Sequence, residues 1–202
     1  MVICVASYKG GVGKTTTVIH LAQFFQESAP TLVLDGDPNR SCLRWAGQGR
    51  LSFKVVDERQ AAMHIKRYEH VLVDTQARPG DDDIKALAGS CDLLILPTTP
   101  ESLSLQALEL TLETLYRLGA ANYRVLLTMI PPRPNRDGEE ARAYLESLKI
   151  PLFRAGIRRV IAFSRAALEG TTVQTVDRTN LGWADYVTVG EEIVKIPSNV
   201  VA

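Results

Sequence analysis

A glycine-rich stretch follows directly after the first apolar run of the chain, which spans residues 2–6. The stretch consists of Lys9-Gly10-Gly11-Val12-Gly13-Lys14-Thr15-Thr16. A glycine-rich turn between a buried strand and a helix directs successive backbone N–H groups into one concavity, where the helix dipole favours negative charge. In a P-loop, the lysine of the closing G-K-T reaches the β- and γ-phosphates and the threonine hydroxyl ligates Mg²⁺. The stretch therefore predicts a site for a nucleoside triphosphate with Mg²⁺.

Three aspartates stand at the ends of predicted strands. Asp35 and Asp37 close the second of these strands within the sequence D-G-D-P, and Asp74 closes the third. A single aspartate at a strand end is explained by a turn or a helix N-cap. Three of them beside a phosphate-binding loop favour a metal site instead, because Mg²⁺ is usually held through one or two carboxylates plus phosphate oxygens. Asp74 is then the Walker B carboxylate.

The elements that position these residues alternate between short β-branched runs and longer segments of helical period. This alternation predicts an α/β fold with a mostly parallel, twisted sheet and helices on both faces. The predicted strands are residues 2–7, 31–35, 70–74, 92–97 and 123–129. The predicted helices are residues 15–27, 82–88, 104–118 and 138–148. The third helix has the clearest apolar stripe, and beyond about residue 151 the periodic pattern loosens.

Composition limits the classes of protein to consider. With 202 residues we expect one domain, spanning residues 1–202. The 23 lysines and arginines equal the 23 aspartates and glutamates in number, so net charge predicts neither a nucleic-acid nor a membrane partner. Cys4, Cys42 and Cys91 show no C-x-x-C spacing, which argues against a disulfide framework or a zinc site. Two of them lie in strand-like apolar surroundings, which is typical of core thiols in a reducing cytosol.

We expect a cytoplasmic protein. The N-terminal apolar stretch is preceded by no basic region and is only a strand long, unlike the apolar region of a secretory signal peptide. No apolar run approaches the roughly 18 residues that a membrane-spanning helix needs.

The head of the glycine-rich stretch departs from the ordinary P-loop pattern. Where that pattern has glycine, the chain has Tyr8, and a second lysine, Lys9, follows. This deviant Walker A pattern resembles that of the ParA/MinD family of ATPases. Residues 35–38 are similar to the family's Walker A′ motif, residues 96–105 to its strand-to-helix segment after Walker B, and residues 162–173 to its late F-x-x-A-x-x-x-G-x-x-V segment. The resemblance covers most of the chain and is greatest with short ParA plasmid partition proteins, which lack an N-terminal DNA-reading domain.

The resemblance assigns roles to individual residues. It implies a P-loop NTPase fold with ATP and Mg²⁺ as cofactors. Lys14 binds the nucleotide, Lys9 reaches across a dimer interface to the partner's nucleotide, and Asp37 orients the attacking water. The implied metal ligands are Thr15, Asp35 and Asp74. The implied nucleotide contacts are Lys9, Gly10, Gly11, Val12, Gly13, Lys14, Thr15 and Thr16 at the phosphates, and Pro131, Pro132 and Arg133 at the base.

The same resemblance implies an activity that depends on ATP binding and slow hydrolysis. ATP produces a sandwich homodimer that binds the DNA of the nucleoid without sequence preference. A cargo-bound adaptor or activator protein then stimulates hydrolysis and releases the dimer. The cargo is a plasmid, a chromosome origin or an organelle such as a carboxysome. A cluster of arginines within twelve residues that contain no acid indicates the DNA surface: Arg154, Arg158, Arg159 and Arg165.

Two alternatives share this P-loop. A MinD-like ATPase would bind a membrane through an amphipathic C-terminal helix with a basic face. The tail of residues 191–199 has two acids, one lysine and a proline, which argues against a membrane partner. A metabolic enzyme of the same fold, similar to dethiobiotin synthetase, stays open because fold alone does not decide function. A cluster site like that of the nitrogenase iron protein is disfavoured because residues 76–83 contain no cysteine.

The loop after Walker B departs from the family's usual D-x-P-P or D-x-P-A. Here Asp74 and Thr75 are followed by Gln76, Ala77 and Arg78. Two interpretations stay open for the glutamine and the arginine. They are either solvated loop side chains or groups that face the γ-phosphate or the partner subunit.

Overall fold

The computed structural model describes residues 1–77 and 79–196. Within these residues the strands are β1 (Val2–Ser7), β2 (Thr31–Asp35), β3 (Lys54–Asp57), β4 (His70–Ala77), β5 (Leu93–Thr98) and β6 (Tyr123–Leu127). The α-helices of the same residues are α1 (Lys14–Gln26), α2 (Ser41–Ala46), α3 (Ala61–His64), α4 (Asp81–Ser90), α5 (Ser102–Arg117), α6 (Asp137–Ser147), α7 (Ala162–Glu169), α8 (Val173–Val176) and α9 (Leu181–Val194). Two short 3₁₀ helices, Glu58–Gln60 and Ile65–Arg67, flank α3.

The six strands form one parallel sheet in the order β3-β2-β4-β1-β5-β6. Parallel strands bring their carboxyl ends to one edge of the sheet, which is where open α/β sheets bind ligands. The register places Asp35 of β2 directly opposite Asp74 of β4. The loop after β1 and both aspartates therefore lie at the same edge.

Both faces of the sheet are covered, as the near-continuous apolar sequence of β1 requires. Ile3 and Val5 belong to an apolar cluster with α1 and α9 on one face. Cys4 and Ala6 pack on the other face, in a cluster with α4 and α5. Burial from both sides gives the loop after β1 a rigid base.

The sequence predictions of the fold class and of five strands are confirmed, and the four predicted helices agree with the structure to within two residues. The prediction missed β3, because four residues at the edge of a sheet carry too little alternation to be recognised. It also missed α9, which packs against α1 and is apolar on most of its surface, so no amphipathic period marks it.

Three further observations bear on the sequence analysis. Cys4, Cys42 and Cys91 are all buried. Across residues 1–77 and 79–196, the helices are too short or too polar to span a bilayer. Arg78 and residues 197–199 of the tail, on which two of the interpretations drew, lie outside the described residues.

Candidate functional site

The loop between β1 and α1 contains two glycines in the left-handed backbone region. The φ angle is +78° at Gly11 and +88° at Gly13, which residues with a Cβ rarely adopt. Gly13 is the N-cap of α1, and its carbonyl accepts a hydrogen bond from Thr17 N at 2.9 Å. The Thr128 hydroxyl, just after β6, donates to the Val12 carbonyl at 2.8 Å. The loop is thus held by its own helix and by the far side of the sheet.

The backbone of Gly10 and Gly11 faces open space. A Cβ built on Gly10 or Gly11 would meet no described atom within 4 Å. Lys14 and Thr15 begin α1, and Lys14 is buried. The N-terminal turn of a helix, with a lysine inside it, is a favourable environment for an anion.

Asp35 and Asp74 are fully buried at the carboxyl edge of the sheet. The backbone N–H groups of Asp37 and Leu43 donate to the two carboxylate oxygens of Asp35, at 3.1 and 2.9 Å. The Thr15 hydroxyl donates to Asp74 Oδ2 at 2.7 Å. The structure therefore brings together the three residues that the sequence assigned to Mg²⁺.

Asp74 is the carboxylate whose environment fits a metal ion best. Its Oδ1 atom is buried and has no hydrogen-bond partner among the described residues. Desolvation raises the pKa of Asp74 to about 6, although the bonds from Thr15 and Cys42 and the charge of Lys14 act in the opposite direction. A buried oxygen without a partner costs free energy unless a cation or a donor occupies the site. Carboxylate and hydroxyl oxygens are also the ligands that Mg²⁺ prefers.

Asp37 lies two residues beyond the end of β2. The backbone N–H and the side-chain amide of Asn39 both donate to Asp37 Oδ1, at 2.8 and 3.0 Å. These bonds fix the carboxylate in the turn, and Asp37 is 8% exposed. The arrangement is suited to holding one water molecule in a defined position.

Lys9 is held by the start of α5. Its Nζ atom lies 3.2 Å from Glu101 Oε2 and 2.7 Å from Ser104 Oγ. Ser104 is bonded in turn to the Thr99 hydroxyl at 2.6 Å. In this structure the second lysine of the loop is thus engaged within its own chain.

A cavity of about 330 Å³ opens beside the start of α1. It is mostly apolar and lies between the turn after β6 and the chain around α7. Its lining consists of Gly13, Thr16, Thr128, Met129, Ile157, Arg158, Arg159, Val160, Phe163, Ser164, Ala167 and Tyr186. A partly apolar cavity next to a phosphate loop fits a nucleobase.

The three residues that the sequence analysis assigned to the base lie elsewhere. Arg133 forms an ion pair with Glu139 at 2.7 Å and lines a separate hollow with Pro134 and Arg136. Pro131 and Pro132 belong to the turn that leads there, and Ile130 separates them from Met129. The assignment of these three residues to the base therefore stays a prediction. Met129 and the segment of residues 157–167 line the cavity, and the sequence analysis did not assign them to the base.

The four arginines of the predicted DNA surface are in different environments. Arg158 and Arg159 line the cavity beside the P-loop. The Arg158 guanidinium binds the buried carboxylate of Asp185, with a shortest N–O distance of 2.6 Å. All four arginines are exposed, but Arg154 and Arg165 do not line this cavity. The prediction counted acids along the sequence, whereas the acid that pairs with Arg158 comes from α9.

A buried histidine supports α1 from behind. His20 Nδ1 donates to the Thr16 carbonyl at 2.8 Å, and Val173 N donates to His20 Nε2 at 3.1 Å, which fixes a neutral imidazole. Desolvation lowers the pKa of His20 to about 4. The Tyr186 hydroxyl, 3.1 Å from that of Thr17, links α1 to α9 as well. No sequence motif predicts these contacts. Those to Val173 and Tyr186 join residues more than 150 positions apart, and the bond to Thr16 is local to α1.

Gln76, which the sequence left open, is bonded to α4. Its amide donates to Asp83 Oδ2 at 3.1 Å, and Gly80 N donates to the same oxygen at 2.8 Å. In this structure β4 extends past Asp74 to Ala77, and its last residues are attached to the first turn of α4.

Comparison with known proteins places this geometry in context. The sequence model of one protein family, the "CobQ/CobB/MinD/ParA nucleotide binding domain", matches residues 3–173 of the chain. The chain is 35% identical to Maintenance of carboxysome distribution protein A of Gloeobacter kilaueensis over 204 residues, covering 95% of this chain and 93% of that protein. Its fold is similar to that of the ATP complex of a McdA variant from Cyanothece, with a TM-score of 0.70, 17% identity, and 95% and 94% of the two chains covered. It is also similar to that of MinD with Mg-ADP from Pyrococcus horikoshii, with a TM-score of 0.72, 21% identity and 96% of each chain covered.

Proposed function

We propose that this chain, which belongs to the family of CobQ/CobB/MinD/ParA nucleotide-binding domains, is an ATPase that positions or partitions a cellular cargo. The observation on which this rests most is the 2.7 Å bond from Thr15 to the buried Asp74, beneath a loop whose glycines have left-handed backbone. This arrangement suits Mg²⁺ and a triphosphate together.

Mg²⁺ and the phosphates would be held by different groups of the site. Bound Mg²⁺ supplies positive charge that neutralises the phosphate oxygens. Thr15 and Asp74 are its proposed ligands, and Asp35 belongs to the same shell. Lys14 and the N–H groups of the P-loop bind the β- and γ-phosphates.

The base is proposed to occupy the cavity beside α1. Met129 and Phe163 give this cavity apolar walls, and Thr16 joins it to the first turn of the helix. Pro131, Pro132 and Arg133, which do not line this cavity, are the alternative base contacts.

Hydrolysis is proposed to depend on Asp37. A carboxylate fixed by two bonds to one oxygen can orient a water molecule through the other. The protein would lower the barrier by positioning that water and by electrostatic stabilisation, as is usual in phosphoryl transfer.

The proposed switch is dimerisation with ATP. Lys9 would leave Glu101 and Ser104 and contact the phosphates of the second subunit. Because its ion pair with Glu101 is partly solvated, the cost of breaking it is small, about 1 kcal/mol or less. A triphosphate offers more negative charge than the single carboxylate.

The dimer is proposed to bind DNA of the nucleoid in the cytoplasm, without base readout, and to be released by an adaptor protein on the cargo. Arg154, Arg158, Arg159 and Arg165 are all exposed and are the candidate phosphate contacts, of which Arg154 and Arg165 do not line the cavity beside α1. Two copies brought together would double the number of phosphate contacts and steepen the salt dependence of binding. The identity to the Gloeobacter protein favours a carboxysome as the cargo.

The proposed function is tested by separating nucleotide binding from turnover. Lys14→Ala should abolish binding of a fluorescent ATP analogue with Mg²⁺. Asp37→Ala should keep that binding and lose release of phosphate, because it removes an interaction made in the transition state. Equal loss of binding in both variants would contradict the assigned roles, provided that circular dichroism shows both to be folded.

A further inference from the structure

Cys42 contacts the carboxylate that we assign to Mg²⁺. It lies in the first turn of α2 and is fully buried. Its thiol donates to Asp74 Oδ2 at 3.3 Å. The Thr15 hydroxyl donates to the same oxygen at 2.7 Å. Two donors from different elements thus converge on one of the two oxygens of Asp74.

The other oxygen is left without a partner. Asp74 Oδ1 is buried and makes no hydrogen bond to the described residues. The two oxygens of Asp74 therefore differ, since Oδ2 accepts two hydrogen bonds from the protein and the buried Oδ1 accepts none from the described residues. Asp35 is unlike this, because each of its oxygens accepts a backbone N–H.

The first turn of α2 contacts both carboxylates. Leu43 N donates to Asp35 Oδ2 at 2.9 Å, and the residue before it bonds to Asp74. Arg40, which precedes α2, has a φ of +55° and forms an ion pair with Asp57 at the end of β3. The turn that delivers the thiol is thereby attached to the edge of the sheet.

We infer that Cys42 is a positioning residue for Asp74. It holds the carboxylate so that Oδ1 keeps no partner from the protein and is available to Mg²⁺. This inference rests on the proposed function. The thiol is a weak donor, so it fixes the orientation of the carboxylate while withdrawing little of its negative charge. Groups that orient metal ligands in this way contribute substantially to metal affinity.

The test compares Cys42→Ala, which removes the donor, with Cys42→Ser, which restores one. Binding of a fluorescent non-hydrolysable ATP analogue is titrated against Mg²⁺, and separately in EDTA. In Cys42→Ala we expect the half-saturating Mg²⁺ concentration to rise about tenfold, with unchanged affinity in EDTA. In Cys42→Ser we expect it to stay within about twofold of the wild type, because a hydroxyl also donates. Cys91→Ala, which removes a buried thiol from the core on the α4 side of the sheet, is the matched control and should leave the titration unchanged.

The outcomes separate this inference from the proposed function. If the wild type binds the analogue with Mg²⁺ and both Cys42 variants titrate like it, the positioning role is wrong and the proposed function stands. A defect of the same size in Cys42→Ser and Cys42→Ala would equally overturn the role, since it would report lost packing. A wild type without Mg²⁺-dependent binding would overturn both. If Cys42→Ala does not fold, Cys42→Val takes its place, because it fills the volume without a donor.

Discussion

The Nζ atom of Lys9 lies 3.2 Å from Glu101 Oε2, so the lysine that distinguishes this loop is paired with the turn before α5. Its second partner, Ser104, is itself bonded to Thr99 at the end of β5. The lysine therefore has a defined position in the single chain. Reaching a second subunit requires that it leave this position.

Glu101→Gln should favour ATP-dependent dimerisation. The substitution removes the charge that holds Lys9, and a partly exposed ion pair contributes at most about 1 kcal/mol. Because each dimer breaks two such pairs, the dimer dissociation constant should fall by up to roughly thirtyfold. Sedimentation equilibrium with a non-hydrolysable ATP analogue measures that constant. Glu113→Gln, which neutralises an exposed glutamate further along α5, is the control. If Glu101→Gln has the same dimer dissociation constant as the wild type, the ion pair with Glu101 does not restrain Lys9.

His20 should make the fold sensitive to acid. Its pKa is lowered from 6.5 to about 4 in the folded state, so the unfolded chain binds the proton more tightly. The stability that neutral His20 provides is full above about pH 6.5 and is lost as the pH falls towards 4, by about 3 kcal/mol in total. Asp74, with its raised pKa, acts in the opposite direction over part of this range.

The contribution of His20 is therefore measured as a difference. Urea unfolding of the wild type and of His20→Gln at pH 7.5 and pH 5 gives the change in unfolding free energy for each. The wild type should lose more stability between the two pH values than the variant does. Equal losses would assign the acid sensitivity to other groups, of which His70, with its own lowered pKa, is the first to test.

The arginines should separate into two classes. Arg158→Ala leaves the carboxylate of Asp185, which is 7% exposed, without its guanidinium partner. It should lower the free energy of unfolding by about 1–2 kcal/mol and weaken nucleotide binding. The double variant Arg154→Glu and Arg165→Glu should keep both properties and lose binding to duplex DNA, because both side chains are exposed and neither lines the cavity.

Filter binding with two unrelated duplexes over a range of salt concentrations measures the DNA affinity of each variant. We expect similar affinity for both duplexes and a steep decline with salt. DNA binding by the double variant that equals that of the wild type would place the surface elsewhere on the molecule.

The sequence was sufficient to predict which residues lie together around the P-loop. Asp35 ends β2 and Asp74 follows the apolar run of β4, and parallel pairing brings both aspartates to the edge of the sheet where the loop after β1 lies. Local spacing also specifies the order of Lys14 and Thr15 in the first turn of α1. These residues could be predicted because strand ends and the P-loop are local features.

The surroundings of the site could not be predicted in the same way. The Cys42 contact depends on the left-handed turn at Arg40, and the wall of the base cavity depends on how residues 157–167 fold back over α1. Both are set by tertiary packing between distant segments. The assignment of Arg133 to the base came from the family resemblance and stays a prediction; in this structure Arg133 pairs with Glu139 and does not line the cavity.

The measurement that tests the account most directly is the mass of Asp37→Ala by light scattering, with Mg-ATP and with Mg-ADP at equal concentrations. The account predicts a dimer of two 22.2 kDa chains with ATP and a monomer with ADP. It also predicts that adding Lys9→Ala to this variant restores the monomer with ATP while the nucleotide stays bound. A monomer with saturating Mg-ATP at tens of micromolar protein, or a dimer that forms equally with either nucleotide, would contradict the account.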